Sequence, residues 1–197
     1  MVPQAGQGTN LPNPSAPTMR HPLRLHPDST CDAIKRVDVE VERVGETELR
    51  LRYIAVGKVA DLLLAPPARP ERKDELWRTT CFELFVQEPP HTAYREFNFA
   101  PSTQWAAYRF TGYREGMMPA TEIAAPRIDA QSHAGTFELR ASLEVPNLRN
   151  ATRLAISAVI EETNGRKSYW ALAHPPGKPD FHHAVGFALD LANETPK

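Results

Sequence analysis

The feature that most constrains the fold of this chain is an alternation of apolar and polar residues with a period of two. VDVEVERV, starting at Val37, and ELRLRYIAV, starting at Glu48, both show it on either side of a short turn. Successive side chains of a strand point to opposite faces of a sheet, so the pattern predicts a β-hairpin. Asn164-Gly165, between RLAISAVIEE and KSYWALA, predicts a second hairpin, because Asn-Gly tolerates the positive φ angles of a two-residue turn.

Similar strand-like segments recur along the chain, and no stretch has a convincing helical period. They are CFELFVQ (81–87), YREFNFA (94–100), QWAAYRF (104–110), TFELRASLEV (136–145) and GFALDL (186–191). Residues 111–130 are expected to form an irregular link with a short strand near Ile123. About nine or ten strands separated by turn-forming residues predict an all-β fold, either an antiparallel β-sandwich or a barrel.

Composition limits the domain organisation and the classes of partner. The first residues are rich in proline, glycine, asparagine and threonine, so residues 1–19 are expected to be a disordered tail and residues 20–197 a single domain. The 23 basic and 24 acidic residues show no excess charge that would indicate nucleic acid. No apolar run is long enough for a membrane span, and no secretory signal is recognisable, so a cytoplasmic location with reduced Cys31 and Cys81 is expected.

Polar and aromatic side chains near two predicted strands are candidates for ligand binding. The alternation places Glu83, Glu96 and Asn98 on one face if strands 81–87 and 94–100 pair. Such a face could either bind hydroxyl-rich ligands or simply be solvated. Trp77 stands at a loop edge, where an indole ring can offer itself to a ligand, whereas Trp170 lies within a strand, where core packing is more usual.

The segment HPPGKPDFHH, residues 174–183, concentrates three of the seven histidines. His182 and His183 are adjacent, and no H-x-x-x-H or H-E-x-x-H spacing is present, so a metal site requires the loop to fold back on itself. The prolines fix φ and Gly177 permits a turn, which favours a rigid loop at the rim of a ligand pocket. His174, Lys178 and Asp180 would then line the mouth of that pocket.

LWRTTCFELFV, YREFNFAPSTQWAAYRF and YWALAHPPGKPDFHHAVGFAL together resemble the bacterial DOMON-like domain, which is similar to the family 9 carbohydrate-binding module. The resemblance covers roughly residues 20–191. It implies a jelly-roll type β-sandwich of two antiparallel sheets that binds a sugar or, in other branches, haem. The sugar-binding relatives hold a terminal sugar between two tryptophans, and Trp77, with Glu83 six residues later, matches the first of them. Trp170 is the candidate for the second ring.

These observations lead to a non-catalytic domain that binds a small polar ligand, most plausibly a carbohydrate, with no metal or other cofactor. The expected ligand-binding residues are Trp77, Arg78, Glu83, Asn98, Trp170, His174, Lys178, Asp180 and His183. No nucleophile motif, P-loop or dinucleotide fingerprint indicates an enzyme.

Four alternatives remain open. They are haem held by Met117 or Met118 with His182 or His183, a metal site that includes His174 and Asp180, acid-base chemistry by Glu83 with His183, and a sandwich that binds only another protein.

Overall fold

The computed structural model describes residues 19–148 and 153–191, so the tail expected over residues 1–19 lies, apart from Met19, outside the described residues. The strands, in chain order, are β1 Arg20–Leu25, β2 Ile34–Val44, β3 Glu48–Gly57, β4 Cys81–Gln87, β5 Tyr94–Phe99, β6 Trp105–Phe110, β7 Met118–Pro119, β8 Arg127–His133, β9 Thr136–Glu144, β10 Arg153–Glu161, β11 Lys167–Ala171 and β12 Leu189–Asp190. The helical elements among the described residues are single 3-10 turns, and none of them is long and apolar enough to cross a membrane.

The strands form two antiparallel layers that share β1. The first sheet has the order β8-β9-β3-β2-β1, and the second has the order β1-β11-β10-β4-β5-β6-β7, with β12 beside β10. Residues Arg20–Leu23 pair with β2, whereas Arg24 and Leu25 pair with β11, so one strand passes from one layer to the other. The predicted all-β sandwich and its two hairpins are confirmed.

The core lies between the layers and takes about one residue in two from the long inner strands, such as β3, β4 and β9. Phe82, Leu84 and Val86 of β4 belong to the same buried cluster as apolar residues of the first sheet. Tyr53 of β3 reaches across this core, because its ring lies 5.0 Å from that of Phe82 and its hydroxyl donates to the Glu83 carbonyl at 2.9 Å. The period-two pattern therefore identified the inner face of β4 correctly.

The outer face of the first sheet carries a ladder of ion pairs. Arg52 contacts Glu40 at 3.1 Å and Glu138 at 2.6 Å, and Arg140 contacts Glu138 at 2.8 Å. A pocket of about 390 Å³ lies on this face, but its charged side chains largely neutralise one another. This is the charged outer face that alternation of charged and apolar residues produces, and its ion pairs through Arg52 are half-buried.

The outer face of the second sheet is instead covered by connecting segments. Leu76, Phe85, Tyr94 and Phe187 belong to a second buried cluster on this side of the sheet. The segments that supply the cover include the 3-10 turn Leu76–Arg78, the link after β6 and the long segment after β11. A sheet face that is covered by loops can hold a pocket, and the strands beneath give that pocket a rigid base.

Three elements differ from the prediction. The strand expected over residues 186–191 is reduced to Leu189–Asp190, and residue 186 belongs to the 3-10 turn Ala184–Gly186. The irregular link expected over residues 111–130 contains β7 and the start of β8, while Ile123 itself is in no strand and belongs to the main buried core cluster. The strand β1 was not predicted, because RHPLRL contains a proline and has only one buried residue, Leu23. Its pairing with β2 and β11 is set by tertiary context.

Candidate functional site

A pocket of about 360 Å³ lies on the outer face of the second sheet, beneath the covering segments. Four aromatic residues contribute to its walls: Trp77, Phe110, Tyr169 and Phe181. Four ionisable residues also line it: Glu83, Glu96, Arg114 and His182. Apolar walls with a few convergent polar groups, in a volume between about 300 and 1,000 Å³, are typical of small-molecule sites.

Two glutamates form the polar floor. Glu83 of β4 and Asn98 of β5 are directly paired across the strands, and Glu96 lies two residues before Asn98 on the same face. Glu83 is 3% exposed, Glu96 4% and Asn98 0%, so this face is buried rather than solvated. Ser157 Oγ donates to Glu83 Oε2 at 3.0 Å, and Asn98 Nδ2 donates to Glu96 Oε1 at 2.7 Å.

Burial changes the protonation of this floor. Loss of solvation raises the pKa of Glu83, and the neighbouring Glu96 carboxylate raises it further. Loss of solvation also raises the pKa of Glu96, although the hydrogen bond from Asn98 opposes the change. Two carboxyl groups in a poorly solvated site cannot both ionise easily. The pair therefore holds a proton to a higher pH than either group would in water.

His182 stands beside the glutamates as a neutral imidazole. Its Nδ1 lies 2.8 Å from the Tyr94 hydroxyl, and its Nε2 lies 3.8 Å from Glu96 Oε2. Loss of solvation, assisted by the positive charge of Arg114, lowers the pKa of His182 to about 4. Near neutral pH the ring thus supplies no positive charge to balance the two glutamates.

Asp180 joins two covering segments across the pocket. Its carboxylate accepts hydrogen bonds from the Tyr113 hydroxyl and, at 2.8 Å, from Arg114. Burial alone would raise the pKa of Asp180, but these hydrogen bonds outweigh it and lower the pKa. Arg114 has a left-handed φ of 56°, and its backbone N–H donates to the Tyr94 hydroxyl at 3.2 Å. These contacts hold a strained turn in the position that points Arg114 at Asp180.

We expect Asp180→Asn to loosen this connection. The substitution removes the charge that holds Arg114 and weakens both side-chain hydrogen bonds to the link after β6. Hydrogen exchange followed by mass spectrometry should then show faster exchange over residues 111–117 and 178–184, and little change in β4 or β10. Asp129→Asn, on the outer face of the first sheet, is the matched control. Equal exchange in both variants at residues 111–117 would show that Asp180 does not hold this link.

Two of the predicted ligand-binding residues line the pocket, and two more support it. Trp77 and Glu83 are in its wall and floor. Asn98 is hydrogen-bonded to Glu96, and Asp180 holds Arg114. The structure therefore brings together residues from β4, β5 and two loops that are distant in sequence.

Trp170 does not form the second aromatic wall. Paired with Ala158 on β10, it faces the core between the sheets, is 4% exposed, and donates from Nε1 to Ser168 Oγ at 3.0 Å. Tyr169, one residue earlier, points the opposite way and lines the pocket. The expected position is thus wrong by one residue, which in a strand is a change of face.

The other four predicted residues lie outside the lining of the pocket. Arg78 is exposed and pairs with Glu75 at 2.7 Å, and Lys178 is exposed. His174 approaches the Arg24 carbonyl at 2.8 Å through Nε2, and its ring lies 4.8 Å from that of His26. His183 accepts from the Val185 backbone N–H through Nδ1. His174 and His183 therefore make hydrogen bonds to neighbouring backbone groups, and the pairing of Glu83 with His183 is not present.

The residues do not fit haem or a metal ion at this pocket. Met117 and His182 both line it, but His182 Nδ1 is already hydrogen-bonded to the Tyr94 hydroxyl, and His182 Nε2 lies 3.8 Å from Glu96 Oε2. Across residues 19–148 and 153–191, no three histidine, cysteine, aspartate or glutamate side chains are arranged to hold a metal. The two cysteines are free thiols, and Cys81 is buried.

Sequence reasoning missed Tyr169, Phe181, Arg114 and His182 as pocket residues. The register of the β10–β11 hairpin would have identified Tyr169, because Val159 and Tyr169 are cross-strand partners on the outer face. Arg114 and Phe181 come from irregular segments, and no periodicity indicates the direction of their side chains.

Comparison with known proteins supports the fold. No family model matches this sequence, and no curated protein matches it. Among solved structures, a protein from Bacteroides uniformis with a proposed carbohydrate-binding role has a TM-score of 0.60 and 13% identity, with 86% of this chain and 84% of that chain covered. A family 9 carbohydrate-binding module from Caldicellulosiruptor kristjanssonii with cellotriose has a TM-score of 0.47 and 10% identity, covering 81% and 75%. The same kind of module with glucose has a TM-score of 0.43 and 11% identity, covering 76% and 72%. At 13% identity, the first of these similarities shows a shared β-sandwich fold.

Proposed function

We propose that this chain is a non-catalytic carbohydrate-binding domain and that its ligand occupies the pocket between Trp77 and the Glu83–Glu96 floor. The observation that carries the proposal is that an indole, three further aromatic rings and a carboxylate floor border one pocket. A sugar ring offers a face of C–H groups to an aromatic wall and a rim of hydroxyls to hydrogen-bonding groups. The structural relative from Bacteroides uniformis, whose proposed role is carbohydrate binding, supports this assignment.

Each part of the pocket has a definite role in this proposal. Trp77 and Tyr169 would contact the apolar face of the sugar, because both rings belong to the wall. Glu83 and Glu96 would accept hydrogen bonds from hydroxyls through Glu83 Oε1 and Glu96 Oε2, which accept none from the described part of the chain. Arg114, which is fixed by Asp180, would donate at the mouth. Affiliation with DOMON-like domains and a cytoplasmic location stay predictions from the sequence.

Calorimetric titration with a panel of mono- and disaccharides tests the proposal. We expect saturable binding by the unmodified protein and a weakening of about tenfold or more in Trp77→Ala and in Tyr169→Ala, since each removes one wall of the pocket. Met118→Ala is the control, because Met118 is exposed and lines a different pocket.

Absence of binding to every saccharide would contradict the carbohydrate assignment. Binding that is unchanged in both wall variants would show that a sugar binds elsewhere on the molecule. If no saccharide binds, the better hypothesis is that this domain binds only another protein.

A further inference from the structure

The charges of the pocket indicate the class of sugar that it would bind. Arg114 and Asp180 form a pair at 2.8 Å, so the cation nearest to the floor already has a counter-ion. His182 is neutral near pH 7 because burial lowers its pKa to about 4. Cys81, behind Glu83 on the same strand, has a raised pKa and contributes no charge to favour a ligand. The positive charge of Arg114 lowers the pKa of both Glu83 and Glu96, but its ion pair is with Asp180, and neither glutamate forms an ion pair with a lysine or arginine among the described residues.

The two glutamates each retain one oxygen for a ligand. Ser157 occupies Glu83 Oε2 and Asn98 occupies Glu96 Oε1, whereas Glu83 Oε1 and Glu96 Oε2 accept no hydrogen bond from the described residues. Both side chains are more than nine-tenths buried and line the cavity. In the described part of the chain, neither oxygen is one of the fully buried side-chain atoms that lack a hydrogen-bond partner, so both open onto the cavity, where a ligand can donate to them.

The walls above this floor suit a positive charge. The rings of Trp77, Tyr169 and Phe181 border the same cavity, and the faces of aromatic rings attract ammonium groups. An ammonium group donates up to three hydrogen bonds, which is a sufficient number for one bond to each of the two glutamates. A neutral hydroxyl donates only one hydrogen bond and brings no positive charge, so it does not favour ionisation of the pair.

We infer that the preferred ligand of this pocket is an amino sugar with a free, protonated amino group, held by Glu83 and Glu96. This inference rests on the proposed carbohydrate-binding function and adds the substrate class to it. Binding of the ammonium group stabilises the ionised form of both carboxyl groups. In the ligand-free protein, Glu83 and Glu96 share a proton. Binding of the amino sugar should therefore release, on average, a fraction of a proton to the solvent.

Calorimetry with four probes at neutral pH tests the inference. We expect glucosamine to bind at least about tenfold more tightly than glucose, because hydrogen bonds between charged groups are the stronger kind. N-acetylglucosamine, which has no ammonium group, should bind no better than glucose. Titrations in buffers of different ionisation enthalpy should show proton release for glucosamine only. Propylamine, an amine without a sugar ring, is the fourth probe.

Substitutions that remove a negative charge but keep the size of the side chain test whether Glu83 and Glu96 cause the preference for glucosamine. Glu96→Gln and Glu83→Gln should each reduce the preference for glucosamine over glucose by about tenfold and abolish the proton release. Glu42→Gln, in an exposed glutamate of the first sheet, should leave both unchanged.

The outcomes separate the inference from the proposed function. Glucose binding as tightly as glucosamine would overturn the amino-sugar preference and leave carbohydrate binding intact. Propylamine binding as tightly as glucosamine, with no binding of glucose, would overturn the carbohydrate assignment and leave an amine site. No binding of any probe would overturn both.

Discussion

Trp170→Ala should lower the free energy of unfolding by about 3–5 kcal/mol, the usual cost of removing a large aromatic ring from a core. The ring is 4% exposed, packs between the two sheets and loses a hydrogen bond to Ser168 on truncation. The substitution leaves a cavity next to Ala158, which is too small to fill it. Urea denaturation followed by far-ultraviolet circular dichroism measures this loss without relying on tryptophan fluorescence.

Trp77→Ala is the matched comparison. Trp77 is only partly buried and lies on the 3-10 turn that covers the second sheet, with its ring 5.9 Å from that of Tyr108, so we expect a much smaller loss of stability. Trp170→Ala should therefore lose stability, whereas Trp77→Ala should lose sugar binding. A Trp170→Ala protein that keeps its stability but no longer binds sugar would place Trp170 in the binding site and contradict its position in the core.

The alternation of residue types predicted the faces of the strands well, because side-chain direction in a strand depends only on position. Glu83, Glu96 and Asn98 were assigned to one face on this basis, and the register of β4 with β5 confirms it. Their burial could not be predicted in the same way. Whether a polar face is solvated or covered depends on loops whose paths leave no periodic signal, and the same alternation produced a half-buried ladder of ion pairs, without covering loops, on the first sheet.

The position of Trp170 shows where reasoning from a family pattern and reasoning from the residues diverge. Resemblance to sugar-binding modules suggested that a late tryptophan forms the second wall, whereas its place inside a strand favoured the core. The structure agrees with the second argument, and the cross-strand partners decide it: Ala158 faces inward with Trp170, and Val159 faces the pocket with Tyr169. A pattern of residue types alone does not fix a register, and a shift of one residue exchanges the two faces.

The free energy of unfolding of the ligand-free protein should decrease by about 2 kcal/mol as the pH rises from about 6.5 to 8. The pKa values of Glu83 and Glu96 are raised in the folded state by loss of solvation, so above the pKa of an unfolded glutamate the folded protein binds more protons than the unfolded chain. Stability is therefore full below that pKa and is lost as the pH rises through the raised values. His182 has the opposite effect, because its pKa is lowered to about 4, but its contribution is complete above the pKa of an unfolded histidine. The change in the free energy of unfolding above about pH 6.5 therefore comes mainly from Glu83 and Glu96.

The double substitution Glu83→Gln and Glu96→Gln removes both titrating groups while keeping side chains that can accept the hydrogen bonds from Ser157 and Asn98. Its stability should be nearly independent of pH across this window and should exceed that of the unmodified protein at the upper end, because burying a neutral amide costs less than burying a second charge. Glu42→Gln, which changes an exposed glutamate, should follow the unmodified protein. Thermal unfolding at several pH values in this window measures all three. If the unmodified protein and the double variant show the same flat profile, the two glutamates ionise as they do in water, and the floor of the pocket does not hold the shared proton on which the amino-sugar inference also depends.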